Sequence, residues 1–90
     1  LMIDCSHANS RKQFERQIEV GHDVAGQIAA GNAHIVGIMV ESHLNPGRQD
    51  IVPGEKPAFG ISITDACLGW EDSAELLHVF ADAVRQRRGR

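Results

Sequence analysis

The sequence predicts a single α/β domain, residues 1–90, in which short parallel strands alternate with flanking amphipathic helices. Three observations predict this class. An apolar run, IVGIMV at residues 35–40, is too short to cross a bilayer and suits a strand buried on both faces of a parallel sheet. One stretch before this run and one after it carry apolar residues at helical spacing. Polar or acidic residues follow each strand-like segment, as is typical of a βα junction.

The first predicted strand is residues 1–4, which precede the polar turn CSHAN. Asn9 or Ser10 can cap the helix that follows, because their side-chain oxygens accept hydrogen bonds from the first helical N–H groups. This helix should end at Gly31. It has an apolar face, Phe14, Ile18, Ala25 and Ile28, and a solvated face, Arg11, Lys12, Glu15, Arg16, Glu19 and Asp23.

The segment after the strand at 35–40 changes in character. Residues 44–60 hold three prolines and three glycines without a sustained period, which predicts a long loop that is functional or packs as a lid. Residues 61–63 are predicted to form a very short third strand. Asp72 and Glu75 have capping-box spacing and should open the closing helix. The apolar face of this helix is Leu76, Phe80, Ala83 and Val84, and its C-terminal turn carries Arg85, Arg87 and Arg88.

Length and charge restrict the class of protein. A chain of 90 residues buries only ~60% of its unfolded surface, and this one starts directly in an apolar run, so we expect a fragment that needs a partner. The net charge of −3 provides no basic field for nucleic acid. No segment has the ~20 apolar residues of a membrane span or the features of a signal peptide, which predicts a cytoplasmic protein without membrane contact. Cys5 and Cys67 lack the paired spacing of zinc or redox motifs, so we expect reduced, buried thiols.

His7, Glu41 and Asp65 each lie at or just past the carboxyl end of a predicted strand. Their spacing is close to the ~30 residues of one βα unit in a TIM (β/α)8 barrel, although the second interval is shorter. Because neighbouring parallel strands lie ~4.8 Å apart, the three side chains can converge on one ion. An imidazole with two carboxylates suits Mn²⁺, Fe²⁺, Co²⁺ or Zn²⁺ and leaves positions open for water or substrate. The alternative is that each residue is separately a helix cap, a turn former or a surface group.

Three motifs carry a resemblance to a known family. SHANS at 6–10, GIMVESHL at 37–44 and GISITDACLGWED at 60–72 resemble, in order and spacing, the C-terminal region of class I 3-deoxy-D-arabino-heptulosonate 7-phosphate (DAHP) synthases. The resemblance covers essentially the whole chain. It implies that residues 1–90 are the C-terminal three βα segments of a TIM (β/α)8 barrel. It also implies a metal-dependent transferase of the shikimate pathway, which condenses phosphoenolpyruvate with erythrose 4-phosphate and releases phosphate.

The resemblance also implies roles for individual residues. His7, Glu41 and Asp65 match three of the family's four metal ligands, and His7 and Asp65 are implied as catalytic residues. The divalent metal would polarise the aldehyde of erythrose 4-phosphate. The fourth ligand, a cysteine near the start of the barrel, and the basic residues that hold the phosphates have no counterpart in this chain. We therefore expect the 90-residue chain to be inactive on its own, because positioning of two phosphorylated substrates supplies much of the catalysis.

Three interpretations remain open at this point. The chain is part of a DAHP synthase; or it is a truncated, inactive product that serves as an oligomeric structural or metal-binding module; or it is the ordered part of a longer chain. A parallel sheet of three strands leaves two unpaired edges. We therefore expect a homo-oligomer, or association with the rest of the barrel.

The other histidines, Trp70 and the basic residues of the loop are expected to have structural roles. His43, two residues beyond Glu41, could support that ligand as a neighbour. Trp70 should pack the last helix onto the barrel wall. Arg48 and Lys56 are expected in a solvated loop, and packed or solvent-facing positions are expected for His22, His34 and His78.

Overall fold

The computed structural model describes residues 1–9 and 13–90, which contain two short strands and two helices. In chain order these are β1 (Met2–Asp4), α1 (Arg16–Ala29), β2 (Gly37–Met39) and α2 (Trp70–Arg88). The strands pair in parallel, with Met2 opposite Gly37 and Asp4 opposite Met39. The predicted α/β class, with parallel strands and flanking helices, is confirmed.

Both ends of the β1–β2 ladder are extended by single backbone hydrogen bonds. Val36 N–H donates to the Leu1 carbonyl at 2.8 Å, and Cys5 N–H donates to the Met39 carbonyl at 2.9 Å. The predicted burial of residues 35–40 on both faces is wrong for most of the run, because only Ile35 is buried, Val36 is 78% exposed and residues 37–40 are half-buried. Ile35 faces the helices, whereas no described segment covers Val36 on the opposite face.

The predicted third strand at residues 61–63 does not form. Gln49 binds this stretch instead: its backbone N–H donates to the Ser62 carbonyl at 2.8 Å and its side-chain Nε2 donates to the Ile61 carbonyl at 2.9 Å. Isolated bridges replace a ladder, and they join Ser42 to Leu68, Gly47 to Cys67 and Arg48 to Ser62. Because the backbone and the side chain of Gln49 occupy these two carbonyls, residues 61–63 do not form the regular hydrogen bonds of a strand pair.

The loop at residues 44–60 packs on itself, as one of the predicted alternatives required. The Gln49 side chain donates to the Ala58 carbonyl at 2.8 Å and accepts from the Ala58 N–H at 2.9 Å. Asn45 N–H donates to the Gly60 carbonyl at 2.8 Å, and Asn45 Nδ2 donates to the Phe59 carbonyl at 2.9 Å. These bonds hold the two ends of the loop together.

The predicted caps at Asn9 and Asp72 are wrong. Asn9 Nδ2 donates to the Asp4 carbonyl at 2.6 Å, and α1 begins only at Arg16 with Glu15 at its N-cap. Predicted residues Ser10, Arg11 and Lys12 lie outside the described residues. In α2 the N-cap is Gly69, whose extended backbone lets the helix begin at Trp70. Asp72 therefore lies inside the first turn, where its negative charge complements the helix dipole without acting as a cap.

The two helices pack against each other around Gly21 of α1 and Leu76 of α2. A Cβ atom built on Gly21 would lie 2.6 Å from Leu76 Cδ1, so the absence of a side chain at Gly21 allows the close approach. The predicted apolar faces are confirmed: Ala25, Ile28, Leu76, Phe80 and Ala83 are buried, and Phe14, Ile18 and Val84 are partly buried against them. Cys5 and Cys67 are buried free thiols, as predicted.

Trp70 does not pack the last helix, contrary to the prediction. Its side chain is 67% exposed, and Leu77, seven residues later on the same face of α2, is 66% exposed. The buried face of α2 carries Leu76, which lies about 100° around the helix from Leu77. Trp70, Leu77 and Leu44 therefore form part of an open apolar groove, which also contacts Ser42 and Ser73.

The arginines at the end of α2 divide into two kinds. Arg85 pairs with exposed Asp82, whereas Arg87 Nη1 donates to the carbonyls of Asn32 at 3.0 Å and Ile35 at 2.8 Å. Arg87 thus ties α2 to the connection between α1 and β2, a contact that helix polarity alone did not predict. Within the described part of the chain, neither helix is long and apolar enough to cross a lipid bilayer.

Candidate metal centre

His7 lies in a tight turn immediately after β1, with its backbone in the left-handed region at φ 51°. The turn is built around the Asp4 carboxylate: Oδ1 accepts from the Ser6 N–H at 2.7 Å, and Oδ2 lies 2.9 Å from His7 Nδ1. Because a carboxylate can only accept, the Nδ1 atom carries the proton. The opposite ring nitrogen, Nε2, is thereby directed away from Asp4.

The Asp4–His7 contact changes the proton affinity of both groups. The hydrogen bond to Asp4 raises the pKa of His7 above its ordinary value of 6.5, and the negative charge of Glu41 adds to the effect. The same hydrogen bond lowers the pKa of Asp4, and the Ser6 N–H lowers it further. Asp4 is therefore an anion that orients and polarises the imidazole.

Glu41 lies two residues past the end of β2, where the β1–β2 ladder has already stopped. Its backbone is held by Gln17 of α1: Glu41 N–H donates to Gln17 Oε1 at 2.8 Å, and Gln17 Nε2 donates to the Glu41 carbonyl at 3.1 Å. The Leu68 N–H also donates to that carbonyl, at 2.9 Å. The Glu41 carboxylate accepts a hydrogen bond from the Ser6 hydroxyl. Backbone and carboxylate of Glu41 are thus both fixed by neighbours.

Asp65 comes from the segment that follows the long loop. Its carbonyl accepts from Cys67 Sγ at 3.3 Å, and the preceding carbonyl, that of Thr64, accepts from Arg48 Nε at 2.9 Å. These contacts place the Asp65 carboxylate beside His7, with Oδ2 3.4 Å from His7 Nε2. Arg48, predicted in a solvated loop, therefore also supports the backbone next to Asp65.

The three predicted side chains lie together. His7 Nε2 is 3.7 Å from Glu41 Oε1 and 3.4 Å from Asp65 Oδ2, and one donor atom from each residue lies within 4.8 Å of the others. Ligands at about 2.1 Å from one ion, at angles between octahedral and tetrahedral values, are separated by roughly 3.0–3.4 Å. The distance from His7 to Asp65 is at this separation, and the distance from His7 to Glu41 is a few tenths of an ångström longer. The three side chains are thus a possible metal-binding group.

The centre is open on one side. Glu41 is partly buried, whereas His7 and Asp65 are exposed, so solvent or a small substrate can reach the point between them. Burial raises the pKa of the Cys5 and Cys67 thiols, so both are protonated in the metal-free chain.

Asp4, Ser6 and Gln17 support this centre, and the sequence analysis missed all three. Gln17 carried a detectable signal: it lies seven residues before Val24 and eleven before Ile28, which puts a polar side chain on the buried face of α1. His43, which had been predicted as a neighbour of Glu41, instead places Nδ1 2.6 Å from the Gly60 carbonyl, at the base of the long loop. His22, His34 and His78 are exposed, in agreement with a solvent-facing interpretation.

Comparisons with known proteins agree with the motifs. A family model described as the DAHP synthetase I family matches residues 1–78. A curated Haemophilus influenzae protein named phospho-2-dehydro-3-deoxyheptonate aldolase is 57% identical over 88 residues, which are 98% of this chain and 24% of that protein. The Phe-sensitive aldolase of the same name from Escherichia coli K12 is also 57% identical, over 89 residues.

The structural comparison gives the same result. The phospho-2-dehydro-3-deoxyheptonate aldolase of Francisella tularensis SCHU S4 superposes with a TM-score of 0.86 at 45% sequence identity, covering 96% of this chain and 25% of that one. The chain spans about a quarter of the length of the curated relatives that it matches. The family model and the relatives cover nearly all of the chain, and this 90-residue protein therefore belongs to the DAHP synthetase I family.

Proposed function

We propose that His7, Glu41 and Asp65 bind one divalent metal ion, Mn²⁺, Fe²⁺, Co²⁺ or Zn²⁺, and that the chain supplies this part of a DAHP synthase active site. The observation that carries the proposal is the approach of one imidazole nitrogen and two carboxylate oxygens to within 4.8 Å of one another, from three separate segments of the chain. Hard oxygen donors with one imidazole favour these metals over Cu⁺.

The corresponding architecture is the C-terminal three βα segments of a (β/α)8 barrel, with residues 1–90 as one piece of that domain. Support comes from the parallel β1–β2 pair, from the position of His7 and Glu41 just beyond these two strands, and from the superposition on a solved family member. Active sites of such barrels lie at the carboxyl ends of the strands, which is where the three side chains meet.

The proposed reaction is the condensation of phosphoenolpyruvate with erythrose 4-phosphate, with release of phosphate. When bound, the metal would supply Lewis-acid polarisation of the sugar aldehyde. Within this chain, Asp4 holds His7 in the tautomer whose Nε2 faces the centre. Gln17 holds the backbone of Glu41, and the Ser6 hydroxyl holds its carboxylate. Asp65 is exposed beside His7, where its second carboxylate oxygen can accept a hydrogen bond from a substrate hydroxyl.

Metal binding tests the proposal directly. Titration of the metal-free 90-residue chain with Mn²⁺, followed through the electron paramagnetic resonance signal of free Mn²⁺, should show one site. Asp65→Asn should weaken binding by at least about tenfold, because one charged ligand is lost. Asp82→Asn, which removes a similarly exposed carboxylate paired with Arg85 in α2, should leave the affinity unchanged. Equal Mn²⁺ affinities for the parent and Asp65→Asn would refute the site.

Catalysis is a separate question, since a quarter-length chain presents three metal ligands without the family's phosphate-binding residues. We expect no release of phosphate when the chain is incubated with phosphoenolpyruvate, erythrose 4-phosphate and Mn²⁺, because substrate positioning can be worth roughly 7–11 kcal/mol of the barrier. Activity that requires Mn²⁺ and disappears in Asp65→Asn would show instead that the chain is competent alone.

An alternative is a catalytically inactive module that binds metal or only associates with other chains. The exposure of Leu1, Met2 and Val36 along the β1–β2 edge favours association in either case. Binding of Mn²⁺ without turnover is expected of a partial active site and of a metal-binding module alike. The Mn²⁺ titration separates both from a chain that only associates with other chains, because that chain would bind no Mn²⁺.

A further inference from the structure

Gln17 is a polar side chain with no solvent exposure, located on the face of α1 that packs into the core. An uncharged residue of this kind is costly to bury unless its amide is fully hydrogen-bonded. Both ends of the Gln17 amide bind the same residue, 24 positions away: Oε1 accepts from Glu41 N–H at 2.8 Å and Nε2 donates to the Glu41 carbonyl at 3.1 Å.

This paired contact acts just beyond the β1–β2 ladder, beside the bridge between Ser42 and Leu68. The β1–β2 ladder ends at Met39, and its last backbone bond joins Cys5 N–H to the Met39 carbonyl. Glu41 N–H consequently has a side chain as its hydrogen-bond acceptor instead of a strand. The Gln17 amide thus imitates a strand neighbour for one residue, and that residue is a predicted metal ligand.

Fixing the backbone of a residue also fixes the direction of its Cα–Cβ bond. With N–H and C=O of Glu41 both held, the side chain can move only by rotation about its own χ angles, and the Ser6 hydroxyl restricts that rotation by binding the carboxylate. Loss of the Gln17 contact would leave the Glu41 N–H without this acceptor and would leave the Leu68 N–H as the remaining donor to the Glu41 carbonyl. The backbone of Glu41 would then be held on one side only.

We propose that Gln17 is a positioning residue for the metal centre, which holds Glu41 in the orientation that binds the ion. The inference rests on the proposed metal-binding function and extends it to a residue that does not itself contact the ion. Contacts that orient a ligand typically change metal affinity by 10–100-fold when removed, so the effect is measurable.

The test compares two substitutions with a matched control in the metal-free 90-residue chain. Gln17→Leu removes both hydrogen bonds. Gln17→Glu keeps the size and the acceptor oxygen but cannot donate to the Glu41 carbonyl when ionised. Gln27→Leu changes the same residue type on the exposed face of the same helix. Each variant is titrated with Mn²⁺ by electron paramagnetic resonance at a temperature where circular dichroism shows it folded.

We expect Gln17→Leu to raise the Kd for Mn²⁺ by about tenfold or more, Gln17→Glu by a smaller factor, and Gln27→Leu by less than about twofold. A purely structural role predicts a different pattern: a lower Tm in EDTA and an unchanged Kd for the folded chain. If Gln17→Leu does not fold, the positioning role is tested by the Kd of Gln17→Glu for Mn²⁺ compared with that of the parent chain.

The outcomes separate the two hypotheses. If the parent chain binds Mn²⁺ and both folded Gln17 variants bind it equally well, the positioning role is overturned and the metal site stands. If the parent itself binds no Mn²⁺, the proposed function is overturned and the positioning role with it.

Discussion

Nδ1 of His7 lies 2.9 Å from Oδ2 of Asp4, and this contact turns the opposite nitrogen of the ring toward Glu41 and Asp65. A carboxylate behind a ligating histidine is a recurrent arrangement in metal sites, because it fixes the tautomer and raises the basicity of the ligand nitrogen. Asp4 therefore belongs to the centre although it lies outside the three motifs that carry the family resemblance.

Asp4→Asn should lower the pKa of His7 and weaken Mn²⁺ binding by about tenfold, because the imidazole loses both its orientation and its anionic neighbour. The pKa is measured by NMR titration of the His7 ring protons in EDTA, and the affinity by Mn²⁺ titration. Asp82→Asn is the control, since Asp82 is also an exposed aspartate in an i,i+3 pair, with Arg85. An unchanged His7 pKa in Asp4→Asn would contradict the assigned contact.

The same pair predicts how the stability of the metal-free chain depends on pH. The pKa of Asp4 is lowered from 3.8, so its contribution is present above about pH 4 and is lost as the pH falls through the lower folded value. The pKa of His7 is raised from 6.5, so its contribution is complete below about pH 6.5 and is lost as the pH rises through the folded value. The contribution should therefore be largest between about pH 4 and 6.5.

Urea unfolding in EDTA at several pH values checks this window. The difference between the parent and Asp4→Asn in free energy of unfolding should be greatest near pH 5 and should shrink toward pH 9. Because both groups are solvent-exposed, we expect a small difference. A difference that grows steadily above pH 7 would have the wrong sign for this pair.

The approach of His7 to Glu41 was predictable because parallel strands bring their carboxyl ends to one edge, whatever the exact strand lengths. Asp65 was predicted at the same edge, but it reaches His7 from a segment that forms no strand. The helical faces of α1 and α2 were predictable for a similar reason, since the period of apolar residues fixes which side is buried. These inferences depend on direction and spacing, and they survive errors at element boundaries.

The predicted strand at residues 61–63 and the predicted helix cap at Asn9 failed because distant or unexpected groups took up the hydrogen bonds. Residues 61–63 have the composition of a strand, but Gln49 of the loop binds the carbonyls of Ile61 and Ser62. Asparagine is a common helix-capping residue, but the Asn9 side-chain amide donates to the Asp4 carbonyl instead. Gln17 was missed because a local sequence pattern does not identify a hydrogen-bond partner 24 residues away.

Leu76 and Leu77 are adjacent in α2 and differ in burial, which provides a matched pair for testing the core. Leu76 is 3% exposed against Gly21 of α1, whereas Leu77 is 66% exposed. Leu76→Ala should lower the free energy of unfolding by about 2–5 kcal/mol, because the side chain leaves a cavity at the helix–helix contact. Leu77→Ala should change it by less than about 1 kcal/mol.

Thermal and urea unfolding of the two variants under identical conditions decide the comparison. Similar losses for both leucines would mean that the exposed face of α2 is covered in solution, and it would locate a contact on the groove that Trp70 and Leu77 line.

The last prediction concerns the edge of the two-stranded sheet, where Met2 and Val36 expose apolar side chains and no described segment pairs with the outer edge of β1. An isolated pair of strands is marginal in water, and an unpaired edge beside exposed apolar groups favours association with another chain. We therefore expect the 90-residue chain to self-associate through an interface of at least ~1,000 Å².

Sedimentation equilibrium over a range of micromolar concentrations should show a mass that increases with concentration. Val36→Lys should raise the dissociation constant by at least about tenfold, because association would then bury a charge, whereas Ile51→Lys in the exposed loop should have little effect. A single monomeric species at every concentration, with thermal unfolding independent of dilution, would show that the edge is stable without a partner.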